Sequence, residues 1–345
     1  METEVIVLVF TILLIGVTSQ NQCLQKAFNG KNCEYKLRNE TLFTLYKDDY
    51  LKVQCKYKSD LNDLSSKNLL EPIGESWTKN HIKIQFCPWK IFKFIFNDTI
   101  IMNNLNKSVK YVTIEGYAAD NDTFEFPNIF TEVFPNVKRL DINHLNVKVD
   151  SMNQNWPENL HTVEIVGLEN SYLPHFINSS IIKMEVHNSE KLVDISNIAS
   201  LTHLQELKLH GNDYLENLSQ GIFINNIALK KLFISSNCAK CTNRSQMNID
   251  ETTFEGLNNI EYIQIKYTKL LKIPSNLFKH CPKLQKLEWL EGMSSNCDFP
   301  KNFIADKNNM LRTIIYKAPY PSGMKSFLPY EKILRVDFRS QLSFA

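Results

Sequence analysis

The chain has 345 residues, of which 39 are basic and 37 acidic, so the net charge is +2 and no long Lys/Arg run stands out. That balance excludes a protein that holds nucleic acid through counterion release. Hydrophobic residues at 43%, with 21 Phe and 13 Tyr, exclude a disordered chain. Residues 5–17 are almost wholly apolar but shorter than the roughly 17 residues a bilayer span needs, and Val17-Thr18-Ser19 offers small residues for cleavage. Residues 1–20 therefore read as a secretory signal, although Met1-Glu2-Thr3-Glu4 lacks the usual positive start. No later stretch reaches spanning length, so the expectation is an extracellular chain with no membrane span of its own.

Cysteine usage agrees with export. Cys23, Cys33, Cys55, Cys87, Cys238, Cys241, Cys281 and Cys297 all follow the signal, an even set compatible with full pairing in an oxidising compartment. Asn39, Asn97, Asn106, Asn121, Asn178, Asn217 and Asn243 each open an Asn-x-Ser/Thr sequon, the acceptor for N-glycosylation.

From residue 109 onward an apolar triple at i, i+3 and i+5 recurs. It appears as Val109/Val112/Ile114, Val137/Leu140/Ile142, Leu160/Val163/Ile165, Ile181/Met184/Val186 and Leu204/Leu207/Leu209. It continues as Leu229/Leu232/Ile234, Ile260/Ile263/Ile265, Leu284/Leu287/Trp289, Leu311/Ile314/Tyr316 and Ile333/Val336/Phe338, with a mean step of about 25 residues. The i+3 and i+5 residues share one face of a short strand and position i anchors the turn before it, so each coil stacks on the next. A returning segment repeats too, as Phe126-Pro127-Asn128-Ile129-Phe130, Ile273-Pro274-Ser275-Asn276-Leu277-Phe278 and Phe299-Pro300-Lys301-Asn302-Phe303. The fold class this predicts is an α/β repeat solenoid, a leucine-rich repeat horseshoe with a parallel concave sheet.

The N-terminal region adds Cys33-Glu34-Tyr35, the run Thr41-Leu42-Phe43 leading to Cys55, and Lys83-Ile84-Gln85-Phe86-Cys87-Pro88. With the repeats, this resembles the extracellular domain of Toll-type receptors, specifically the insect Toll branch, over residues 21–340. The resemblance implies a disulfide-bearing N-terminal cap over 21–108, and about ten repeats over 109–345. In the cap, Cys55 pairs with Cys87 and Cys23 with Cys33, other pairings among the four remaining open. The last repeat is incomplete and uncapped, and no TIR segment follows, so the sequence reads as a fragment or splice form of an anchored receptor. The implied partner is a dimeric cystine-knot cytokine of the Spätzle type; a secreted adhesion or matrix protein, or a soluble decoy, is the alternative. The repeat Asn, whose side chain ties adjacent coils, appears clearly only at Asn212 and Asn237, and Leu145, Thr268 and Gly292 cannot all replace it.

Catalytic and cofactor chemistry finds no footing. The 10 glycines never come closer than Gly211 and Gly221, so no GxGxxG, GxxxxGK or GxSxG fits. Cys238-Ala239-Lys240-Cys241 has no second ligand pair for zinc and reads as a loop disulfide or buried thiols; Cys281 is either a buried thiol or bridged to Cys297. No enzyme, metal or cofactor is expected. The residue between the inward pair of each strand faces outward, giving the column Thr113, Asp141, Glu164, Glu185, Lys208, Phe233, Gln264, Glu288 and Ile315. Its acidic members Asp141, Glu164 and Glu185, flanked by Arg139 and Lys183, form a candidate stripe for a cationic protein surface. The competing expectation is a hydrated face neutralised by those two cations.

Overall fold

The structure is a computed structural model, and it describes residues 33–37, 40–47, 51–55, 80–85, 109–116, 123–124, 130–147, 156–176, 179–215, 217–218, 221–235, 237, 247–268, 270, 273–290, 310–317 and 335–338. The chain divides into two compact units, 1–151 with 157–160, and 152–156 with 161–345.

The first unit opens with β1 (Cys33–Leu37), β2 (Glu40–Lys47) and β3 (Leu51–Cys55). They form an antiparallel meander whose register slips between Tyr35 and Lys36. The direction then changes. β3 pairs in parallel with β4 (His81–Gln85), β4 with β5 (Tyr111–Glu115), and β5 with β7 (Arg139–Asn143). The parallel ladder therefore begins two strands ahead of the first triple. A small second ladder joins β6 (Thr123–Phe124) to β8 (Asn146–Val147), and the four-residue helix α1 (Phe130–Val133) lies on the returning side.

Among the described residues the second unit has eight parallel strands: β9 (Thr162–Val166), β10 (Lys183–His187), β11 (Glu206–His210), β12 (Lys231–Ser235), β13 (Tyr262–Lys266), β14 (Lys286–Leu290), β15 (Thr313–Lys317) and β16 (Arg335–Phe338). Each pairs with its sequence neighbour, without a register shift. All ten predicted triples carry a strand, and the fold is a solenoid of stacked coils with very little helix.

The period-2 argument accounts for the core. Every triple member whose side chain is described is at most 4% exposed. Removing such a residue from water contributes about 1.5 to 3 kcal/mol, and one coil alone could not hide its three. The returning segments add an aromatic spine: Phe223, Phe254 and Phe278 are each 0% exposed, with centroids 6.4 Å and 5.5 Å apart in turn. Trp156 and Phe176 pack at 5.1 Å, and Phe130 and Phe134 at 5.2 Å.

The residue just past a strand must turn the chain sharply. His144, Gly167, Asn188, Gly211 and Tyr267 occupy this place at φ of 52°, 64°, 49°, 65° and 49°. At Gly211 a Cβ would come within 2.4 Å of Asn188 Oδ1, so any other residue there would have to push the Asn188 amide aside. One position later a polar ladder runs through the second unit. Asn237 Nδ2 donates to Leu209 O at 3.0 Å, and its Oδ1 accepts from the Asn212 backbone and side chain, both at 3.0 Å. Asn212 donates to Val186 O and accepts from Ser189 N–H, each at 3.2 Å. Ser189 extends the ladder by a hydroxyl, accepting from Leu168 N–H at 3.1 Å and donating to His187 O at 3.2 Å. Thr268 is 0% exposed and donates its hydroxyl to Lys266 O within its own coil at 3.0 Å, whereas Leu145 fills the equivalent place with apolar volume.

Candidate protein-docking face

In a five-residue strand whose second and fourth side chains point inward, the first, third and fifth point outward. These outward residues form the candidate site, and each unit presents its own set.

In the first unit Arg139 Nε donates to Asp141 Oδ1 at 2.7 Å, and the Thr113 hydroxyl donates to Asp141 Oδ2 at 3.4 Å. Thr113 Oγ1 in turn lies 3.0 Å from His81 Nε2. Burial holds the His81 imidazole below its usual range; Asp141 opposes this, and Lys83 and Arg139 reinforce it. Beside this network Lys83 pairs with Glu115 at 2.8 Å, and Gln85 donates to Glu115 at 2.6 Å.

In the second unit Glu185 is the hub. Lys183 and Lys208 reach its Oε1 at 2.7 and 2.8 Å, and His187 Nε2 lies 3.0 Å from its Oε2. Burial disfavours ionisation of Glu185, but the hydrogen bonds from Lys183, Lys208 and His187 outweigh it and hold the carboxyl down at about 2. Both lysines also approach Glu206 at 3.5 Å. Glu164 stands opposite Glu185 in register, and donor atoms of Glu164, Glu185 and His187 all lie within 4.8 Å of one another. A divalent cation could use these three donors, but two ammonium groups already neutralise the central carboxylate, so the cluster has no electrostatic need for one.

Further along, a second hub forms at Glu288, which is 8% exposed. Lys286 pairs with it at 2.6 Å, Lys266 at 3.5 Å, and Gln264 donates to it at 2.8 Å. Burial opposes its ionisation, and the hydrogen bonds from Lys286, Tyr262 and Gln264 prevail, so its carboxyl lies below the usual range. Between the hubs two rings interrupt the charge: Phe233 meets Tyr262 edge-on at 5.2 Å, Lys208 lies 5.7 Å from the Phe233 centroid and Lys286 5.0 Å from the Tyr262 centroid.

The sequence column is thus in place strand by strand, with Asp141 and Arg139 in the first unit and Glu164, Glu185 and Lys183 in the second. Asp141 and Glu185 carry their own cations; a cationic partner would have to displace Arg139 from one and two lysines from the other. Lys231, Tyr262, Lys266 and Lys286 are outward residues that the single column missed. They occupy the first and fifth places of the same strands, and counting every second residue from the strand start would have found them. Cys33 begins β1 and Cys55 ends β3; Cys23, Cys87 and the side chains of Cys33 and Cys55 lie outside the described residues, as do Asn39, Asn97, Asn106, Asn121, Asn178 and Asn243. Asn217 is exposed, at an isolated bridge to Asn248. Cys281 is 0% exposed, and burial pushes its thiol up. No helix among the described residues is long and apolar enough to cross a membrane.

No protein-family model matches the chain. A stretch of 120 residues, 35% of this chain and 16% of the relative, is 29% identical to transforming growth factor beta activator LRRC33 of Danio rerio. Among solved structures, Toll from the Drosophila Toll–Spätzle complex is similar with a TM-score of 0.51 and 13% identity, over 92% of this chain and 45% of that one. A chain of the mouse RP105/MD-1 complex is similar with a TM-score of 0.48 and 15% identity, over 71% of this chain and 40% of that one. This chain therefore spans less than half of Toll and a small part of the curated relative. The likeness to Toll and the stacked parallel strands define the class of the fold: a leucine-rich repeat solenoid.

Proposed function

We propose that this chain is the extracellular ligand-binding part of a Toll-like signalling receptor, and that it recognises a dimeric cystine-knot cytokine of the Spätzle type by protein–protein contact. The observation that carries the reading is the outward strand face. It carries a network of ion pairs interrupted by two part-exposed rings, and the strands that present it pair in parallel without a register shift in the second unit. The fold likeness to Toll, whose solved complex contains Spätzle, supports the choice of ligand class. In this reading residues 1–20 are the secretory signal and 21–108 a cap held by Cys55–Cys87 and Cys23–Cys33. Asn217 bears a glycan, and the repeats over 109–345 present the docking face.

The test is surface plasmon resonance of the recombinant full chain against a purified cystine-knot dimer of the Spätzle type. Saturable binding is expected, with Asp141→Lys plus Glu164→Lys weakening it and altering its salt dependence. Absence of binding, together with retention on collagen or glycan surfaces, would assign the chain to the adhesion class instead.

A further inference from the structure

We propose that the outward face of β11 to β14 is a docking surface for an acidic protein segment that seats an apolar or aromatic side chain against Phe233 and Tyr262. The inference rests on the ligand-binding reading above and names the chemistry of the partner at one part of that face.

Depth decides the sign of the surface. On these four strands the outward charged residues are Glu206, Lys208, Lys231, Lys266, Lys286 and Glu288. The carboxylates lie low, with side chains 23% exposed at Glu206 and 11% at Glu288. The lysines ride above them at 32% for Lys208, 54% for Lys231, 27% for Lys266 and 43% for Lys286. On these strands the lysine side chains are the more exposed charged groups, and they outnumber the carboxylates four to two. The third-column acids Asp141, Glu164 and Glu185 stand on β7, β9 and β10 and point to a cationic partner there, whereas on β11 to β14 the more exposed lysines favour an acidic one.

Existing ion pairs do not use up these cations. Each ammonium has three donors, so an incoming carboxylate can share a lysine that is already paired. The apolar centre supplies the anchor. Phe233 and Tyr262 are part-exposed, meet edge to face, and are flanked by Lys208 and Lys286. Aromatic side chains are enriched at interface hot spots, so this pair of part-exposed rings can serve as the anchor. Three inter-strand steps give a width of roughly 14 Å, room for one extended or helical segment.

The test is biolayer interferometry of the recombinant full chain with three probes: a random Glu/Tyr copolymer, the matching Lys/Tyr copolymer, and heparin. The Glu/Tyr copolymer should bind and the Lys/Tyr copolymer should not. Phe233→Ser should weaken Glu/Tyr binding about tenfold. Lys208→Gln with Lys286→Gln should weaken it similarly and flatten its salt dependence, while Arg312→Gln, exposed and off this face, should change nothing. A thermal melt of each variant checks folding, and the lysine pair keeps the test decisive if Phe233→Ser misfolds. No Glu/Tyr binding, equal binding of both copolymers, or binding indifferent to these substitutions overturns the proposal. Heparin bound with the same variant dependence and not displaced by the Glu/Tyr copolymer also overturns it, in favour of an acidic glycan. If the cystine-knot dimer binds while the Glu/Tyr copolymer does not, this inference falls and the receptor reading stands.

Discussion

Asn212→Ala removes three side-chain hydrogen bonds: from Ser189 N–H at 3.2 Å, to Val186 O at 3.2 Å and to Asn237 Oδ1 at 3.0 Å. Asn237 Oδ1 keeps its bond from the Asn212 backbone at 3.0 Å, so it is not stranded. Ser189 N–H and Val186 C=O lose these partners at a position that is 0% exposed. Each buried group left unmade costs about 1 to 3 kcal/mol, so the substitution should cost about 4 kcal/mol, a large share of a typical 5 to 15. In a stack the loss falls on neighbouring coils first. Hydrogen exchange read by mass spectrometry should therefore show lost protection in β10, β11 and β12, with β14 and β15 much less affected. A cost below about 1 kcal/mol, or a uniform loss of protection, would refute the assignment of coil register to this ladder.

The Glu185 carboxyl, held down at about 2, is more acidic folded than unfolded, so its contribution is present above the ordinary value of 4.5 and is lost as pH falls from there towards 2. The full shift corresponds to about 3 kcal/mol, cut to about 1 to 2 by solvent screening, and Glu185→Gln should flatten the acid limb of a melting-temperature profile by that amount. Phe254→Ala opens a hole between Phe223 and Phe278 and should cost about 3 to 5 kcal/mol in denaturant titration; a smaller loss would mean the returning segments collapse around it. Tyr267 is 52% exposed at φ of 49°, a conformation asparagine tolerates better, so Tyr267→Asn should raise the melting temperature, by up to about 1 kcal/mol in stability.

The repeat was legible because it is a statement about volume and period. A coil that fails to place Leu207 and Leu209 inward leaves them in water, and no local adjustment compensates, so the pattern must be written into the sequence. The ladder was half legible. Asparagine announces itself, but Ser189 does the same work with one hydroxyl that accepts from Leu168 N–H and donates to His187 O, and serine two residues past a strand is unremarkable until the register is known. The charge of the docking face was least legible, for a geometric reason. Column order gives which residues face outward, but not how far each reaches. Glu185 and Glu288 are each paired with two lysines, and their side chains, 14% and 11% exposed, are less exposed than those of the lysines. A count of acids along one column therefore misses the more exposed lysines, most of which stand at the first and fifth places of the same strands.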